Sequence, residues 1–146
     1  MAMREQTNII FKIASATLDP KTITDRVGLT PDVSWLSGAI RGTFGAKEKE
    51  HGFVLESKLG PIAPLEEHIK EMLKRLAPYA QKIGQLAAES TIEFTCSVTR
   101  KKAPYLHFDR DVLRWLAVMG AKLDIDTFVI VEPPPPAPAK PAGTPQ

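Results

Sequence analysis

The sequence predicts an α+β domain in which an antiparallel or mixed sheet carries helices on one face, in a ferredoxin-like arrangement of split halves. Three observations lead there. Leu18–Pro31 is a short helix with both ends written in: Asp19 supplies an N-cap carboxylate, Pro20 suits the first helical position, Leu18 and Ile23 can staple across the cap, and Gly28 can end the helix in the left-handed region. The same grammar returns in Phe108–Gly120, where Asp109 caps, Phe108 can staple to Leu113, and Gly120 terminates. Before that second helix, Thr91–Val98 alternates so that Ile92, Phe94, Cys96 and Val98 share one face and polar groups share the other, which predicts a sheet with one wet side.

In chain order, the first strand is predicted over Asn8–Ala14 and feeds the helix capped by Asp19. Leu36–Glu50, with Gly38, Gly42 and Gly45 and the charged run Lys47–Glu50, reads as a loop or mobile hairpin. Its glycines do not have the spacing of a phosphate-binding loop. A strand follows from His51 through Phe53 and Leu55, and Gly60–Pro64 breaks it.

Leu65, Ile69, Met72, Leu73 and Leu76 then recur at helical spacing, with Glu66, Glu67, Lys70, Glu71 and Lys74 toward water. Pro78 interrupts that helix, and Tyr79, Ile83, Leu86 and Ala87 continue a second short one. The last strand is expected over Asp124–Val131, with a further short strand at Tyr105–His107. Trp115 falls with Val112, Leu116 and Met119 on an apolar helical face and is expected in the core.

The run from the first strand through Leu18-Asp19-Pro20, Ile23-Thr24, Val27-Gly28-Leu29-Thr30-Pro31-Asp32, Trp35 and Gly38, then the Gly52–Ser57 strand and the Leu65–Leu76 helix, resembles a bacterial domain-of-unknown-function family, DUF4279. The resemblance covers residues 8 to 131. It implies a small bacterial α+β domain without an assigned activity, so it carries over no catalytic residues.

Composition bounds the rest. A chain of 146 residues with 43% hydrophobic content can bury one core. We expect a loose lead over residues 1–7, a single domain over 8–131, and a disordered Pro/Ala-rich tail over 132–146, since Pro133–Gln146 has almost no large apolar side chains. The formal net charge of +2 gives no reason to expect nucleic acid or an anionic membrane, and Arg100-Lys101-Lys102 reads as a solvated turn. The outward Thr91, Glu93, Thr95 and Ser97 offer no aromatic platform for single-stranded RNA. No signal-like or membrane-spanning run is legible, so cytoplasmic residence is expected. The lone Cys96 excludes an intramolecular disulfide and reads as a buried structural thiol.

No catalytic, cofactor-binding or metal residues stand out, and no cofactor is expected. His51, His68 and His107 lie on three different elements as isolated surface or half-buried imidazoles. Asp109 is accounted for as a cap, Asp111 favours the positive end of a helix, and Asp124 and Asp126 share one wet strand face. Trp35 lies outside any periodic segment, so it is either a plug beneath its loop or a contact anchor. The function expected is therefore a non-enzymatic protein-binding module, immunity-like or regulatory, with Trp35, Arg41 and Phe44 as candidate contacts and no partner identified by the sequence. The alternative is a small enzyme or ligand-binding domain, in which a pocket would gather His107 with Asp109 or Asp126.

Overall fold

A computed structural model describes residues 4–136. Its elements run β1 (Gln6–Ser15), α1 (Pro20–Val27), β2 (Val33–Trp35), β3 (Ile40–Arg41), β4 (Ala46–Lys47), β5 (His51–Glu56), α2 (Leu65–Leu76), a 3-10 turn (Ala77–Tyr79), α3 (Ala80–Gln85), β6 (Thr91–Arg100), α4 (Arg110–Met119) and β7 (Ala121–Val129). Five strands form one mixed sheet in the order β2-β5-β1-β6-β7, and β3 with β4 makes a separate small hairpin.

Both capped helices form where the sequence places them. The Asp19 carboxylate accepts the Thr22 N–H at 2.7 Å, and that of Asp109 accepts the Val112 N–H at 3.0 Å. Gly28 and Gly120 close the two helices at φ of 93° and 63°, in the region glycine alone enters freely.

The alternation of β6 is carried across the sheet by register. Ile13 pairs with Ile92 and with Phe53, and Phe11 pairs with Phe94 and with Leu55, so the apolar sets of β1, β5 and β6 share one face. Ile23 and Val27 of α1, Ile69, Met72 and Leu76 of α2, Ile83 of α3 and Val112, Leu116 and Met119 of α4 join the same buried cluster. All four helices therefore roof one face. Phe11 and Phe94 meet at the centre as a tilted pair, 5.3 Å between centroids at 56°. Cys96 lies in this layer, and burial pushes its thiol pKa up to about 12, which keeps it protonated and unreactive.

The helix-free face is written in rows by the same register. Lys12 stands opposite Glu93, and Glu93 opposite Lys122. These close an ion-pair chain, Lys12 to Glu93 at 3.8 Å, Glu93 to Lys122 at 3.2 Å and Lys122 to Asp124 at 3.4 Å. Charges of alternating sign thus cross three strands.

Several expectations are corrected. The split arrangement holds for two helical connections and not for the third: β5 lies between β1 and β2, which α1 joins, and β1 lies between β5 and β6, which α2 and α3 join, whereas β6 and β7, joined by α4, are parallel neighbours with no strand between them, a departure from the ferredoxin-like pattern. β1 begins at Gln6 rather than Asn8, and Thr7 is buried beneath the Arg100 guanidinium, 2.6 Å from its hydroxyl. Arg100 is therefore turned onto the domain instead of standing in a solvated turn. β7 starts at Ala121, directly after Gly120, and Tyr105–His107 forms no strand. Trp115 is 37% exposed because α4 packs chiefly on α3 and leaves its α2 side partly open. Of the Pro/Ala-rich tail, residues 132–136 are exposed, and 137–146 lie outside the described residues.

Candidate functional site

The segment read as a loop or mobile hairpin folds back on the helix-free face. Trp35 ends β2, the short edge strand, and pairs with Gly52 of β5. Gly52 in turn pairs with Ala14. This row carries almost no side-chain bulk, so the indole lies down on it. A Cβ at residue 52 would stand 2.1 Å from two carbons of the indole ring, a distance only its absence permits. The indole N–H donates to the Glu50 carbonyl at 3.1 Å.

Local hydrogen bonds fix the loop that follows. The Gly38 N–H donates to the Glu48 carbonyl at 2.7 Å, and the Glu48 N–H donates to the Ala39 carbonyl at 2.8 Å. The Ser37 N–H donates to Nδ1 of His51 at 2.9 Å, and its hydroxyl donates to the Lys49 carbonyl at 3.0 Å. Below the loop, Asp32 anchors β2 to β5: its carboxylate accepts the Glu56 N–H at 2.8 Å and faces Lys58 at 3.5 Å and Arg75 at 3.6 Å. The Glu56 N–H, followed by the Lys58 and Arg75 charges, holds the Asp32 carboxyl below the usual carboxylate range.

Arg41 of β3 covers the indole from the other side, its guanidinium carbon 3.5 Å from the ring centroid. Lys12 reaches the same ring at 5.9 Å. Trp35 is thus sandwiched between a glycine and a cation, held on the sheet surface and half-buried. Phe44, at the tip of the hairpin, is 98% exposed and does not join the stack. Ile40 at 67% and Leu36 at 58% stand near it in sequence and are exposed as well. The structure brings Trp35 and Arg41 together and leaves Phe44 exposed at the hairpin tip, outside their stack.

No hydrogen bond or ion pair among the described residues joins the Asp and His groups of the alternative reading. Asp109 is committed to its cap and to Lys70 at 3.2 Å, His107 stacks on Tyr105 at 6.2 Å, and Asp126 lies on β7 opposite Ser97. Among the described residues, no group of three or more His, Cys, Asp or Glu side chains could hold a metal ion.

One polar set was not expected. His68, read as a surface or half-buried imidazole, is 1% exposed. Its Nε2–H donates to the Gly60 carbonyl at 3.0 Å, which leaves Nδ1 to accept the Ser57 hydroxyl at 2.5 Å. Ser57 also accepts the Leu59 N–H at 3.3 Å. Ser57 and His68 both line a cleft of about 480 Å³, together with Thr7, Asn8, Glu56 and Leu59. A hydroxyl on an imidazole has the residue types of an activated nucleophile, but His68 is almost fully buried and both its ring nitrogens are already hydrogen-bonded, to Ser57 and to the Gly60 carbonyl. The set is a latch that ties residues 57–60 to α2. Burial lowers the His68 pKa below its ordinary value and keeps the ring neutral. The signal was present in the sequence: His68 shares the helical stripe of Leu65 and Met72.

A model of the domain of unknown function DUF4279 matches residues 5–129. The chain belongs to this family. The match takes in every element of the DUF4279 domain from β1 to β7, including the Trp35–Arg41 stack and the latch. No curated protein and no solved structure matches the chain. No helix among the described residues is long and apolar enough to cross a membrane.

Proposed function

We propose that this DUF4279 domain is a non-enzymatic protein-binding module, regulatory or immunity-like in kind, and that its contact surface is the helix-free face at the β2 edge. One observation carries the reading: the Trp35 indole is held flat on Gly52 under Arg41 of a hairpin whose tip residue, Phe44, is almost fully exposed. Aromatic side chains with few rotatable bonds, placed on a frame that is already ordered, give up little entropy on binding and supply most interface energy. The sheet face beneath the helices is spent on the core. His107, Asp109 and Asp126, which no hydrogen bond or ion pair joins, lend no support to acid-base chemistry.

The test is recovery of a partner from native cell extract by the full chain and by three variants. Phe44→Ala is expected to lose the partner while keeping the wild-type melting temperature, Trp35→Ala to lose it with a lowered melting temperature but a cooperative transition, and Arg114→Ala on the exposed side of α4 to keep it. Loss by Arg114→Ala with retention by Trp35→Ala would place the contact on the helix layer and overturn the reading.

A further inference from the structure

Arg41 is an arginine held in place without an acid to hold it. Its guanidinium is stacked at 3.5 Å on Trp35, one of its terminal nitrogens is buried with no hydrogen-bond acceptor, and it makes no ion pair among the described residues. Of the acids on the same face, Glu93 is taken by Lys12 and Lys122 and Asp124 by Lys122, while Asp126 is in no ion pair with Arg41 or any other described residue. Stacking on an indole fixes the plane of a guanidinium, and with Nη1 buried the Nε–Nη2 edge is the pair of parallel N–H donors left to match a carboxylate. Lys12 near the same ring adds a second positive charge.

We propose that Arg41 is the receptor for a carboxylate side chain presented by a protein partner, so that the segment laid across Trp35 is acidic. This rests on the reading of the β2 edge as a contact surface and adds the chemistry of what it contacts. A protein carboxylate fits better than a nucleic acid, since Glu93, Asp124 and Asp126 line the continuation of the face and would repel a phosphate chain laid along it. The same acids suit a partner segment whose charge changes sign along its length.

The experiment uses the full chain carrying Trp115→Phe, so that Trp35 is the only indole. Its emission is followed while blocked hexaglutamate, blocked hexaglutamine or a thymidine oligonucleotide is added. Hexaglutamate is expected to give a saturable change that weakens with salt, and hexaglutamine is expected to bind about tenfold or more weakly. Arg41→Gln is expected to remove the preference for hexaglutamate, and Arg41→Lys to retain part of it, since an ammonium keeps the charge but not the fork. Equal responses to the two peptides, a preference that survives Arg41→Gln, or a stronger response to the oligonucleotide would overturn the proposal. If hexaglutamate fails while Trp35→Ala still loses the native partner, the carboxylate receptor falls and the contact surface stands. If Trp35→Ala keeps the partner, the surface itself is misplaced and the receptor falls with it.

Discussion

The indole of Trp35 lies on Gly52, so closely that a Cβ there would meet two ring carbons at 2.1 Å. A residue with no side chain thus sets the position of the largest side chain on the helix-free face. Gly52→Ala is expected to tilt the indole off the sheet, at a cost of about 1–3 kcal/mol, the usual range for overpacking. Urea denaturation reads the loss, and a shift in Trp35 emission in the Trp115→Phe background shows that the ring has moved.

The two caps offer a matched comparison. Asp19→Ala and Asp109→Ala each remove a carboxylate that accepts a backbone N–H, and each is expected to cost about 1 kcal/mol in chemical denaturation. The capping N–H and then the Lys70 ammonium hold the Asp109 carboxyl below its ordinary pKa, while the Thr22 N–H does so at Asp19. Both contributions are present above the ordinary carboxylate range and are lost as pH falls through the lowered values. The asparagine variants, which keep an acceptor but cannot titrate, are expected to retain most of the stability and to lose this acid dependence.

These caps show what was legible in the chain and why. Asp19 with Gly28, and Asp109 with Gly120, are local statements made by residues three to eleven positions apart, and the helices form as written. The inward face of β6 was readable because period-two alternation is local too. Strand order was not readable, since β1 meets β5 and β6 across helices and loops that no local spacing encodes. The exposure of Trp115 likewise depends on how far α2 and α3 cover α4, although its apolar stripe is plain. The Trp35–Arg41 stack arises from a three-residue edge strand and a hairpin folded back onto it, so both residues could be named as candidates but not joined.

His68 gives the domain a pH dependence of definite sign. The folded protein holds its pKa below the ordinary 6.5, so on acidification the unfolded chain takes up a proton first. Stability is full above pH 6.5 and declines as pH falls from there toward the lowered value. His68→Ala is expected to cost about 1–3 kcal/mol at neutral pH, because Ser57 and the Gly60 carbonyl lose their partner, and to flatten stability between pH 7 and 5. Thermal melts across that range compare the two proteins.

Gly84 marks the closest approach of α3 to α4, where an added Cβ would lie 2.3 Å from the Val118 carbonyl oxygen. Alanine would favour the helix by up to about 1 kcal/mol on propensity alone. The clash with a backbone atom that cannot swing aside is expected to win, so Gly84→Ala is predicted to lower stability by about 1–3 kcal/mol and Gly84→Ser to do so by at least as much. A rise in the denaturation midpoint for Gly84→Ala would show that the helices part easily.

The contact surface is tested most directly by photo-cross-linking in the native cell from two positions of the full chain, with benzoylphenylalanine replacing Phe44 in one protein and Arg114 in the other. A discrete adduct is expected from position 44, absent from position 114, and abolished when Trp35→Ala is added to the first. Adducts from position 114 with none from position 44 would show that the helix layer meets the partner and that the Trp35 face does not.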